Sequence, residues 1–188
     1  MAPRKNPEER GRALEDAFFR DENARLLESL RARQDRATQK AALAHTSGVS
    51  DDALLERLLA AGLRAETWLA FDLVPLVEVA WADREMTRAE RTAVLSEAHA
   101  HGVAAGGAAA LLLDHWLTER PPARLRRLWR DWAAAFGAQL SPADREAFFR
   151  ETRARAEAVA RASRFRLSLD RRISRAERDV LEQLFEGA

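Results

Sequence analysis

Apolar residues recur at helical spacing along nearly the whole chain, and glycine and proline divide the pattern into segments. Over 8–44 the pattern is sparse. Phe19, Leu26, Leu30, Ala37 and Ala41 follow one another by steps of seven and four within a charged sequence. That spacing predicts one long helix with a narrow apolar stripe, ended at Gly48. Ser50 is placed to cap a helix over 51–61, with Leu54, Leu55, Leu58 and Leu59 on one side and Gly62 at its end. From Trp68 to Ala82 the sequence is densely apolar. Leu69, Leu73, Leu76, Val77 and Ala80 make a helical face there, and Pro75 sets the start of this central helix near Asp72. Thr87 caps a helix to about His101, and after Gly106 and Gly107 another runs to about Thr118. Segments 122–138, 141–163 and 174–186 complete the series, two of them with proline in the first turn. Tyrosine is absent, as are Asn-Gly and Asp-Gly hairpin turns. The prediction is an all-α chain of about seven helices. Residues 1–66 form an N-terminal extension of one long charged helix plus one short helix, and 67–188 form a helical domain.

One phrase occurs twice. Asp83-Arg84-Glu85-Met86-Thr87-Arg88-Ala89-Glu90-Arg91 returns, 87 residues on, as Asp170-Arg171-Arg172-Ile173-Ser174-Arg175-Ala176-Glu177-Arg178, with six of nine positions identical. In each copy an apolar helix leads into a short loop, and Thr87 or Ser174 opens the next helix. Thr87-x-x-Glu90 and Ser174-x-x-Glu177 are capping boxes, in which hydroxyl and carboxylate each accept a bond from the other's backbone N–H. The alternative is a hard-cation site, calcium above all, held by Asp83, Glu90, Asp170 and Glu177. An apolar residue followed four positions later by Glu is similar to the second half of an EF-hand loop. Calcium takes about six to eight oxygen ligands, whereas the earlier ligand positions here are Val79 and Trp81, or Arg166 and Ser168. Met86 and Ile173 are expected to fill a seam between neighbouring loops of a pseudo-twofold pair.

Composition narrows the remaining classes. With no cysteine among its 188 residues, the chain has no disulfide framework and no thiolate chemistry. The first ten residues are charged where a secretory signal has its apolar run, and no stretch approaches the ~20 apolar residues of a membrane span, so a cytoplasmic location is expected. Net charge is +1, which argues against a general polyanion binder, although residues 120–178 hold 16 basic against 7 acidic residues. Within that sector Trp129 and Trp132 alternate with Arg126, Arg127 and Arg130. Such a helix either stacks on bases or a membrane surface, or turns its tryptophans to the core and its arginines to water. Nucleic-acid and membrane binding therefore rank behind protein binding. Glu90, Glu97 and His101 share one helix face and read as solvated. No Ser-His-Asp set, nucleotide loop or H-E-x-x-H is present, and Glu78 is the one carboxylate inside an apolar helix, so no enzymatic activity is expected.

The doubled Asp-x-x-apolar-Ser/Thr-x-x-Glu loop over about 69–186 resembles the tellurite-resistance TerB-like family. The resemblance implies an all-helical, pseudo-twofold bacterial domain, a stress-response setting and acidic loops that hold metal, with Asp83, Glu90, Asp170 and Glu177 as the matching positions. Family members usually have Asp-Gly where this chain has Asp83-Arg84 and Asp170-Arg171. A fainter likeness, carried by Arg10, Ala13, Phe19, Asp21 and Glu22, is to the alphaproteobacterial ATP synthase inhibitor zeta. Combining the residues with the resemblance, we expect a protein-interaction or stress-response module without a cofactor. It would bind a partner, or itself, through helix 8–44 or through a groove between the two helix-loop-helix units.

Overall fold

The computed structural model describes residues 7–162 and 173–186, with side chains from Phe18 onward. Every regular element among them is helical. Nine α-helices run α1 Pro7–Ser47, α2 Asp52–Ala60, α3 Trp68–Asp72, α4 Val74–Ala80, α5 Arg88–Ala100, α6 Ala108–Thr118, α7 Ala123–Gly137, α8 Pro142–Ala162 and α9 Arg175–Phe185, with a 3-10 turn at Ala65–Thr67. The chain is thus all-α, with nine helices among the described residues rather than about seven. The apolar run from Trp68 accounts for part of the excess. Pro75 has no N–H to offer and its ring would meet the carbonyl of Phe71, so the helix breaks at Leu73 and restarts with Pro75 in its first turn.

The chain divides into two compact units, Met1–Ala41 and Ala42–Ala188. In the larger unit α4 is the innermost element: each residue from Val74 to Ala80 is buried. α4 packs on α5, α7, α8 and α9, while α5 also packs on α8, and α8 on α9. α2 lies within the 42–188 unit, where Leu54, Leu55, Leu58 and Leu59 join the core. Its cap is Asp51, not Ser50. Asp51 Oδ1 accepts from Leu54 N at 2.6 Å, the three-residue reach that a cap oxygen needs.

The last turn of α1 also belongs to this unit. Leu43 is fully buried, and Trp132 Nε1 donates to the carbonyl of Ser47 at 2.9 Å. Trp132 sits in an aromatic cluster, 5.1 Å from Trp68 and stacked on Phe136 at 5.4 Å between ring centres. Gly48 ends α1 at φ 70°, and a Cβ there would come within 3.0 Å of the Phe136 ring. Only glycine fits both constraints.

The smaller unit is the body of α1. As one uninterrupted helix of 41 residues, α1 is about 60 Å long at ~1.5 Å per residue. From Phe18 to Ala41 every side chain is exposed except Ser29 and Lys40, which are half-buried.

Candidate functional site

Both capped junctions form as their residues dictate. At the first, Glu90 N donates to Thr87 Oγ1 at 3.2 Å, while Thr87 N and Thr87 Oγ1 both donate to Glu90 Oε2, at 2.8 and 2.7 Å. At the second, Glu177 N donates to Ser174 Oγ at 3.1 Å and Ser174 N to Glu177 Oε2 at 2.5 Å. Glu90 and Glu177 are both buried. Burial is the chief reason the Glu90 carboxyl lies above its ordinary range. The two Thr87 bonds pull it back down, and the charges of Asp83 and Glu177 push it up again. The Glu90 carboxyl therefore feels the glutamate of the other junction. Met86 and Ile173 both pack against the core, half-buried.

Of the four candidate metal ligands, Glu90 and Glu177 are taken up in the caps. Asp83 is exposed and its Oδ1 accepts from Glu85 N at 3.2 Å, closing a local turn. Asp170 lies outside the described residues. Among the described residues no three His, Asp or Glu side chains converge as a metal site would require. Arg84, beside Asp83, adopts φ 74°, a left-handed conformation natural to glycine.

Glu78 does not face out. It is 2 % exposed, and Arg126 Nε lies 3.2 Å from its Oε2, near enough for an ion pair but without hydrogen-bond alignment. Arg126 Nη1 also donates to Gln183 Oε1 at 2.6 Å, so one guanidinium links α4, α7 and α9. Burial raises the Glu78 carboxyl above its usual range, against the opposing pull of Arg126 and Arg120. The indole Nε1 of Trp129 is also buried with no hydrogen-bond partner among the described residues. Trp129 and Trp132 both point into the core, while Arg124 and Arg127 are exposed, so the tryptophans of this helix have no free face for a base or a lipid.

The shared face of Glu90, Glu97 and His101 is not assembled as a cluster. His101 Nε2 lies 2.6 Å from Asp72 Oδ2, and Arg155 Nη1 lies 3.0 Å from His101 Nδ1. A guanidinium only donates, so Nδ1 accepts and the ring proton sits on Nε2, directed at Asp72. This Asp72–His101–Arg155 chain ties α3, the end of α5 and α8 together. Its members are so far apart in sequence that spacing gave no sign of it.

Two surface features remain. A groove of about 650 Å³ is lined by Leu140, Phe149 and Phe185 together with Arg145, Arg150 and Arg153. The other is on α1: Phe18, Phe19, Leu26, Leu27 and Leu30 are all exposed, five of the eight large apolar side chains exposed among the described residues. No described helix is long and apolar enough to cross a membrane. Comparison with protein-family models, with curated proteins and with solved structures finds no match for the chain.

Proposed function

We propose that this chain is a non-enzymatic, TerB-like helical domain that works by binding protein through the apolar stripe of α1. The observation that carries the reading is the density of exposed Phe and Leu between Phe18 and Leu30. Scattered surface leucines are ordinary, but five large apolar side chains exposed within thirteen residues of a charged helix mark an interaction surface. The pseudo-twofold arrangement has its own support. α4 with α5 and α8 with α9 are two helix pairs with matching caps, α4 and α8 pack together, and each also packs on the other pair's capped helix. A bacterial stress-response setting follows from the family likeness alone.

The test is a pair of chains, one lacking residues 1–41 and one full-length with Leu26→Asp and Leu30→Asp. Both should keep the thermal unfolding of the 42–188 unit and lose the partners that the unaltered chain retains in co-purification. Recovery of the same partners by all three chains would overturn the reading.

A further inference from the structure

We infer that the occupant of the α1 stripe is a second copy of this chain, its α1 running antiparallel to the first. The inference rests on the reading above that α1 is the interaction surface, and adds the identity and direction of the partner. The apolar side chains set the place. Phe19, Leu26, Leu30 and Ala37 fall on one side of the helix, and Phe18 and Leu27 flank that side, one on each edge. At the observed exposures, 48–65 %, five such side chains per copy offer roughly 100 Å² each. Two copies together reach roughly the 1,000 Å² at which specific association begins.

Charge sets the direction. Residues 7–24 carry six acidic and three basic residues, a net −3, while 25–47 carry five basic and two acidic, a net +3 with histidine neutral. A parallel pair lays −3 beside −3 and +3 beside +3 along its whole length. An antiparallel pair lays −3 beside +3 twice. The helix dipole alone does not account for this division, because its influence fades within the first and last turns. The acidic half reaches inward to Asp21 and Glu22, and the basic half begins at Arg25.

The register follows from the same residues. The apolar block Phe18–Leu30 is centred on position 24, and pairing about that centre sets Phe18 level with Leu30. The symmetric pair is an isologous interface that closes at two copies.

The absence of native cysteine makes the direction directly measurable in the full-length chain. In the antiparallel pair the two copies of residue 23 lie about 3 Å apart along the axis, and those of residue 37 about 39 Å apart, at ~1.5 Å per residue. Asn23→Cys should oxidise to a covalent dimer, and Ala37→Cys should stay single under the same conditions. By sedimentation at micromolar concentration the unaltered chain should have the mass of a dimer, and Leu26→Asp with Leu30→Asp should weaken association at least tenfold. Cross-linking at position 37 as readily as at 23 means a parallel pair and overturns the inference. So does a monomer up to hundreds of micromolar. In that second case, capture of a different protein by the same stripe would leave the broader reading standing, and loss of both would remove the two together.

Discussion

Two helices of this chain invert each other. In α4 all seven residues are buried and the exception is a carboxylate, Glu78. In α1 from Phe18 to Ala41 nothing is fully buried and the exceptions are five large apolar side chains. A buried charge and an uncovered apolar run are the two departures from solvent sorting that call for a cause. In α4 the cause is internal, because Arg126 and Gln183 complete a polar link between helices of the same unit. On α1 the exposed apolar run carries the partner proposed above. A change in the first region should therefore unfold the molecule, and a change in the second should only separate molecules.

The sharpest break of this contrast is Arg126→Ala, which strands a buried carboxylate and should cost about 3–5 kcal/mol in urea unfolding at neutral pH. The pH dependence has a definite sign. Because the Glu78 carboxyl is raised in the fold, its contribution to stability is fully present below the unfolded carboxylate range and is lost as pH rises through the raised folded value. Removing Arg126 raises it further, so the variant should regain stability as pH falls below neutral, and Glu78→Gln in the same chain should remove most of the loss. An Arg126→Ala loss that is the same at acid and neutral pH would detach the ion pair from α4's stability.

A smaller effect is expected at the junction that α4 leads into. Thr87→Ala removes the hydroxyl that accepts from Glu90 N and donates to its carboxylate, and should cost about 0.5–2 kcal/mol. Ser174→Ala should fall in the same range, since Ser174 makes the matching box with Glu177. A large inequality between the two would mean that the copies differ in more than sequence. Smaller again is Arg84→Gly. Arg84 holds a left-handed φ that disfavours any residue with a Cβ by roughly 1–2 kcal/mol. Glycine relieves that strain but adds freedom to the unfolded chain, so a net gain below about 1 kcal/mol is expected in thermal unfolding.

These junctions also mark how far the sequence could be read. The capping boxes were legible because a cap is local: hydroxyl, carboxylate and both N–H groups lie within four consecutive residues. The long helix, its stop at Gly48 and the inward tryptophans of α7 were legible from spacing. Glu78 was not, because helical periodicity assigns a face without saying what covers it, and α4 is covered on all sides. Its partner Arg126 and the Asp72–His101–Arg155 chain are joined only by the tertiary fold. The break at Leu73 was half legible. Pro75 announced it, but the short helix Trp68–Asp72 depends on the packing of Trp68 and Phe71 against the aromatic cluster.

The smallest effect on stability should come from the largest change in covalent structure. Removing residues 1–41 takes away five of the exposed apolar side chains and about 50 Å of the helix, at ~1.5 Å per residue, yet among the described residues no member of the core cluster. The cut cannot be moved to 46, because Leu43 is fully buried and Ser47 follows it with the carbonyl that receives the Trp132 indole. Loss of that turn would open the aromatic cluster at Trp68, Phe136 and Trp132. A chain beginning at 42 should thus keep the unfolding midpoint of the parent when both are measured as monomers, and one beginning at 47 should fall well below it. Should the shorter cut prove as damaging as the longer, α1 between Phe18 and Ala41 would be serving the fold of its own molecule, and the contrast with α4 would collapse into two parts of one core.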